Sequence, residues 1–328
     1  MKRVLTFLVI SLLNLSNACA ESPGTSGCIV LKYPVGARAI GMGNAFTAVA
    51  SDINSMYWNP AGLFLLEKRG FSTSCIDGVA EDVYYGHIFY AQPVDFRYIG
   101  SFGVGIATLQ GGEAEIYDGR GGSLGKVTAI QDYVITLSGA NDISPYVLSF
   151  INLPGEISLG FSLKGIRSTL PTLVTKTKKK YTSTSAFGFD LGVLYKLDSL
   201  LFESPVTYSL GLCLRNLGNK IKYGDSGDPL PFTMVFGGAL KISLSQDSNI
   251  TLAVDLNRPN DQNQRFNFGV EYWFRGICAI RGGYKVGYDK EGFAVGLGIP
   301  YANFQIDYAY SPIKDLGSDH RISFIMRF

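Results

Sequence analysis

A 328-residue chain with a formal charge of +2 and a pI near 8.1 has no basic face for nucleic acid. Charged residues are 17% against the roughly 25% of soluble domains, while 13% are aromatic and 39 are glycine. Beyond the first twenty residues no apolar run approaches the ~18 residues of a membrane-spanning helix; the helical membrane protein is excluded and the closed β-barrel is the membrane-compatible fold that remains.

Residues 1–20 read as an export signal. Lys2 and Arg3 give a positive start, Val4 to Leu13 an apolar core too short to span, and Ala18-Cys19-Ala20 a small-residue cleavage site. Lipidation at Cys19 is the alternative to cleavage after Ala20. Residues 21–69 then form a segment unlike the rest, with GARAIGMGNAFTAVASDINSMYWNPAGL from Gly36 to Leu63 at its centre. It is rich in glycine, has a helix-compatible run over Asn44 to Ala50, and ends on an aromatic pair and the turn Asn59-Pro60. A compact non-strand segment before a run of strands reads as a hatch inside a barrel.

Gly36, Gly41, Gly43 and Gly62 fit tight turns against neighbouring walls. Asn59-Pro60 with Ala61 fits a rigid turn, Pro60 fixing φ and Asn59 bonding nearby backbone. Met42, Phe46, Tyr57, Trp58 and Leu63 either line an apolar pocket or pack the hatch. Gly41-Met42-Gly43 lacks the third glycine and the feeding strand of a dinucleotide fingerprint, so no cofactor is expected.

Residues 70–328 alternate with period two. Ile157, Leu159, Phe161 and Leu163 oppose Ser158, Gly160, Ser162 and Lys164; Phe304, Ile306, Tyr308 and Tyr310 oppose Asn303, Gln305 and Asp307. The polar rows are full of small residues, which suits a crowded lumen. Segments of 9–13 residues match tilted membrane-crossing strands. Aromatics near segment ends, as in Tyr84-Tyr85 and Tyr272-Trp273-Phe274, fit interfacial girdles. The expected fold is all-β, a fourteen-stranded antiparallel transmembrane barrel plugged by an N-terminal hatch with short helices. Strands are placed near 70–78, 82–93, 97–108, 128–140, 156–168, 184–197, 205–216, 231–243, 248–257, 265–275, 276–286, 292–299, 302–310 and 319–328. Stretches 109–127, 169–183 and 217–230 are expected to be long outer loops, the second carrying the lysine run from Lys176 to Lys180. Residues 144–154 are open to a further strand.

By parity the lumen receives Lys164, Asp190, Arg215, Asp255, Glu271, Arg281 and Asp307. Their mixed signs point to pairs tying wall to wall or wall to hatch, with Arg38 as the hatch partner. The alternative is that Lys164, Arg215 or Arg281 receives a substrate carboxylate. His87, in step with Tyr85 and Phe89, reads as a membrane-interface residue, and His320 as a local hydrogen-bonding group. With two histidines and no C-x-x-C pair there is no metal constellation. Cys213 is placed inward and Cys278 outward, so no bridge is expected between them. Gly121-Gly122-Ser123-Leu124-Gly125 lacks the strand and helix of a nucleophile elbow, and no catalysis is expected.

Ile322, Phe324, Met326 and Phe328 end the chain on an aromatic, similar to the insertion signal of outer-membrane barrels. The hatch motif, LRNLGNKIKYGDSGDPLP (Leu214 to Pro231), FGVEY (Phe268 to Tyr272), IRGGYK (Ile280 to Lys285), GLGI (Gly296 to Ile299) and QIDYAYSPIKDLGSDHRISFIMRF (Gln305 to Phe328) together resemble the PorV/PorQ-type proteins, also called UPF0164. These are related to the FadL long-chain fatty acid transporters. The resemblance implies an outer-membrane barrel of a diderm bacterium with Asn59, Pro60 and Ala61 in its hatch, in contact with outer-membrane lipid. It implies either uptake or binding of hydrophobic small molecules such as long-chain fatty acids, or a part in type IX protein secretion with secreted proteins or machinery subunits as partners.

Overall fold

The computed structural model describes residues 25–77, 83–96, 98–174, 179–223, 227–315 and 317–328. The export signal with Cys19, and Lys176 to Lys178, lie outside them. Fourteen strands close into one antiparallel barrel. They are β1 (Gly70–Asp77), β2 (Tyr84–Phe96), β3 (Ile99–Gln110), β4 (Gln131–Asp142), β5 (Glu156–Val174), β6 (Lys179–Leu201) and β7 (Ser204–Gly218). The second half comprises β8 (Thr233–Ser243), β9 (Asn249–Pro259), β10 (Arg265–Phe274), β11 (Cys278–Val286), β12 (Phe293–Tyr301), β13 (Phe304–Ile313) and β14 (Gly317–Arg327).

Closure removes every sheet edge. β1 pairs with β14 from Gly70↔Arg327 to Asp77↔His320, and the terminal Phe328 donates its N–H to the Arg69 carbonyl at 2.9 Å. The short connections 202–203, 244–248, 275–277 and 302–303 share one end with this closure, as does the longer connection 143–155, and the connection 111–130 lies at the other. In barrels of this class the short turns face the periplasm. The alternation separates lipid from lumen: Leu159, Phe161 and Leu163 are exposed outward while Ser158, Ser162 and Lys164 are buried inward.

Residues 25–69 fill the lumen. A 3-10 turn (Ile29–Lys32), helix α1 (Ala37–Gly41), helix α2 (Ser55–Trp58) and a second 3-10 turn (Pro60–Leu65) run from the long-loop end towards the start of β1. The run from Asn44 to Ala50 is not the helix its composition promised. Gly43 and Asn44 adopt φ of 62° and 65°, and two successive left-handed residues end the helix that began at Ala37.

Glycines on the inner wall are where hatch backbone meets strand backbone. A Cβ at Gly283 would lie 2.0 Å from the Gly43 nitrogen, so only paired glycines permit this approach.

Four further differences from the sequence reading have physical causes. The stretch 109–127 is largely a hairpin, Glu113–Tyr117 against Ser123–Thr128, held by cross-strand pairs outside the barrel. In the stretch 169–183 β5 and β6 continue their ladder to Val174↔Lys179, with Thr169 and Ser183 hydrogen-bonding across it at 2.9 Å, so its described residues are strand and not loop. The region 144–154 carries helix α3 (Ser144–Ile151), started by Pro145 near its N-terminus.

The fourth difference concerns Tyr85, His87 and Phe89, which point into the lumen and not at the membrane interface. Both rows of β2 carry aromatics, Tyr84 outward and Tyr85 inward, so hydrophobicity alone did not orient it. Tyr33 of the hatch stacks on Tyr85 at 5.3 Å and settles the face. His87 Nδ1 bonds Ser74 Oγ at 3.0 Å inside the wall. Trp273 likewise turns inward, beneath Arg281.

Candidate functional site

The lumen is organised by one connected chain of charges. Arg38 on α1 grips Glu271 on β10 with both arms of its guanidinium, Nε–Oε2 at 2.8 Å and Nη2–Oε1 at 2.7 Å. Its third contact, Nη1 to Asp52 Oδ2 at 3.1 Å, stays within the hatch. Glu271 also accepts from Arg281 Nε of β11 at 2.7 Å, and Arg281 Nη1 reaches Asp307 of β13 at 2.7 Å. Gln305 and then Arg327 extend the series towards the short-turn end. Burial alone would lower the Arg38 pKa, but the Glu271 and Asp52 carboxylates raise it, so this cation stays charged.

A second polar knot lies on the opposite wall. Lys164 Nζ contacts Asp190 and Asn216 Oδ1, each at 2.7 Å, and Asp190 Oδ1 accepts the Asn216 backbone N–H at 2.7 Å. Here the β6–β7 ladder is irregular between Phe189 and Leu191, and the Asp190 carboxylate takes the place of a backbone acceptor. Asp255 accepts the N–H groups of Phe46 and Thr47 at 3.0 and 2.9 Å. Arg215 differs from the others: its guanidinium lies over Tyr57 and Trp58, 5.2 and 5.6 Å from the ring centres.

Met42, Phe46, Trp58 and Leu63 are buried, and Tyr57 is partly so. Phe46 and Trp58 meet edge to face at 6.0 Å, and Met42 rests on the Gly269 wall. An apolar cavity bordered by Val30, Met56, Tyr57, Tyr85 and Phe89 measures about 20 Å³, the room of a single water. Asn59 ties the turn at three points. Its Nδ2 donates to the carbonyls of Thr47 and Val193, and its Oδ1 accepts from Ala61 N–H at 3.2 Å. Pro60 opens the 3-10 turn that follows.

Two larger spaces flank the hatch and share no lining residue. The inner vestibule, about 760 Å³ on the short-turn side, is bordered by Arg38, Lys68, Lys196, Lys241, Glu271 and Arg327. The outer chamber, about 300 Å³, is bordered by Trp58, Arg215, Asn257, Arg265 and Tyr288. Both are polar. His320 bonds Tyr308 and Ser318 on the outer surface of the wall. Ser123 sits in the outer hairpin and donates to Glu115. Cys213 is buried inward, Cys278 is half-exposed, and the four described cysteines are free.

Sequence reasoning gave no site role to Asp52, to Gln305, although its row was read as polar and inward, or to Arg321, Asn257 and Arg265. Arg321 is buried, pairs with Asp319 and donates to the Pro34 carbonyl at 2.6 Å. Inward parity would have found the last four, since Arg265 is in step with Asn267 and Glu271. Asp52 lies in the aperiodic hatch, where no pattern marks it.

A fourteen-stranded barrel with a lipid-facing apolar belt and a plugged, ion-paired lumen defines a hatch-bearing outer-membrane β-barrel protein. The sequence model of the family described as "Type IX secretion system protein PorV" matches residues 24–260, and the chain belongs to that family. Among solved structures, the toluene transporter TbuX of Ralstonia pickettii is similar at a TM-score of 0.50 and 13% identity, with 90% of this chain and 98% of that one covered. A deltaS2 mutant of the TodX monoaromatic hydrocarbon channel gives 0.52 and 11%, covering 90% and 99%. At such identities the likeness shows a shared fold. No curated protein sequence matches the chain.

Proposed function

We propose that this chain is an outer-membrane component of type IX protein secretion that binds protein partners, its barrel serving as a closed scaffold and not as a conduit for hydrophobic molecules. The observation that carries this reading is the series Asp52–Arg38–Glu271–Arg281–Asp307, which bonds the hatch to three strands of one wall of the lumen. A hydrophobe moving through would have to part these buried charges or displace Met42 and Phe46 from backbone contact. Either step exposes polar groups to an apolar ligand, at a cost of several kcal/mol. Membership of a family described by type IX secretion supports the secretion role, and the TbuX and TodX likeness supports the barrel fold.

The test is deletion of the gene, followed by fractionation of surface-attached proteins and by uptake of labelled long-chain fatty acid and toluene. Surface proteins retained in the periplasm, with uptake unchanged, is the expected result. Normal surface display with impaired uptake would overturn the proposal and restore the hydrophobe-transport reading.

A further inference from the structure

The outer chamber holds positive charge that its own carboxylates do not neutralise. Two acids border it, and both are engaged: Asp261 accepts from Lys32 and Ser26, and Glu291 accepts from Lys285. Arg215 and Arg265 border the same space, and among the described residues neither has a carboxylate within ion-pair distance.

Each guanidinium carbon lies over aromatic rings, Arg215 over Tyr57 and Trp58, whose planes meet at 77°, and Arg265 over Tyr288 at 4.2 Å. A ring partner attracts the cation without accepting its in-plane N–H groups as a carboxylate would. The Nε atoms of both arginines are buried without a hydrogen-bond partner. So is the amide Nδ2 of Asn257, a residue only 8% exposed. Three unsatisfied donors bordering one cavity, two of them cationic, is a costly arrangement that a bound oxyanion relieves.

The rest of the lining bears on the kind of molecule. Thr233, Gln262 and Asn267 offer polar groups beside the apolar Leu31, Pro34 and Pro259, a mixed wall that suits a body with both hydroxyl and carbon faces. Asn267 is itself positioned by the Tyr288 hydroxyl at 3.0 Å. A neighbouring space of about 340 Å³, sharing Lys32, Arg265, Tyr288 and Glu291, continues towards the long-loop mouth.

We propose that this chamber is a binding site for a small polar oxyanion, a carboxylate or phosphate on a hydroxyl-bearing body the size of a sugar acid, with Arg215, Arg265 and Asn257 as its donors. The group enters from outside and stops at the hatch. It is carried either by a free solute or by the terminal carboxylate of a polypeptide, since both present the same acceptor. The site stands independently of the secretion role, and its failure would leave that role untouched.

Calorimetric titration of the detergent-folded protein in phosphate-free buffer tests it. The probes are glucuronate, citrate, a sugar phosphate, inorganic phosphate, oleate, and a short peptide with a free or an amidated C terminus. Saturable binding of at least one oxyanion probe other than oleate is expected. It should weaken about tenfold or more in Arg265→Gln and in Asn257→Leu, the loss of one hydrogen bond to a charged group. Lys241→Gln, in the inner vestibule, should bind as the parent does. Binding of the free-acid peptide alone, lost on amidation, assigns the anion to a polypeptide; binding of the small acids assigns it to a solute. Heat-modifiable migration in gels identifies folded barrels, and Asn257→Leu keeps the test valid should Arg265→Gln misfold. No binding by any oxyanion probe other than oleate, or equal loss in Lys241→Gln, overturns the proposal.

Discussion

Arg38 and Glu271 join hatch to wall through two parallel N–H···O bonds of 2.8 and 2.7 Å, and Glu271 shares its second oxygen with Arg281. Three carboxylates, Asp52, Glu271 and Asp307, thus face two buried guanidiniums, and Glu271 is the one that bridges them. Removing it leaves Arg38 with Asp52 and Arg281 with Asp307, but cuts the tie between hatch and wall.

Glu271→Gln is expected to destabilise the hatch by about 1.5–3 kcal/mol, the loss of hydrogen bonds between charged groups, since each arginine keeps one carboxylate. Arg38→Met should cost more, about 3–5 kcal/mol, because it leaves the buried Asp52 without its cation. Urea midpoints for protease cleavage between residues 25 and 69 measure this, and the barrel itself should still shift on unheated gels. A hatch equally resistant in both variants would refute the idea that this knot locks it.

The contact between Gly43 and Gly283 makes a sterically sharper prediction. Gly283→Ala places a methyl 2.0 Å from a backbone nitrogen, whereas the same change at Gly165 meets nothing within 4 Å. The first should cost about 1–3 kcal/mol as overpacking, and the second should be near neutral. Unfolding midpoints of the two variants side by side decide it; equal midpoints would mean that the hatch does not press on this wall.

This glycine pair also shows how far sequence carries. The small inward rows announced a crowded lumen, and the charges Arg38, Glu271 and Arg281 were legible from parity together with the break in pattern at the hatch. Which charge meets which was not, because partners such as Arg38 and Glu271 lie 233 positions apart and no period links them. Parity failed where both faces of a strand are aromatic, as at Tyr84 and Tyr85. Composition failed over Asn44 to Ala50, where backbone sign at Gly43 and Asn44 overrode helix-compatible side chains. The outer chamber stayed hidden because Arg265 opens its strand directly after a turn, where boundaries blur.

Cys28 provides a reporter for hatch closure. It is buried, and desolvation first, then Asp132 and Asp228, push its thiol up to about 12. Since the thiolate is the reacting species, Cys28 should be inert to maleimide between about pH 7 and 8.5 in the folded protein. In Glu271→Gln it should become reactive as the hatch loosens. Mass spectrometry after labelling reads both states, in a background with Cys75, Cys213 and Cys278 changed to Ser. Rapid labelling of Cys28 in the otherwise unaltered hatch would contradict its burial.

Asp261, in the turn after β9, sets the pH range over which the N-terminal segment is tied down. Burial raises its carboxyl, but hydrogen bonds from Lys32 and Ser26, with the Lys32 charge, hold it below the ordinary 3.8. A carboxyl with a depressed folded value contributes stability that is complete above its unfolded value and disappears as pH falls through the folded one. The tie should therefore be constant from about pH 5 upward and weaken below about pH 4, whereas Asp261→Asn should lack it at every pH. Hydrogen exchange of the peptide spanning Gly27 to Lys32, corrected for the intrinsic pH dependence, measures the change. Protection that stays level from pH 6 to pH 3, or that Asp261→Asn leaves intact, would show that the segment is held by its apolar contacts, Val30 and Leu31 against the lumen wall, and not by this carboxylate.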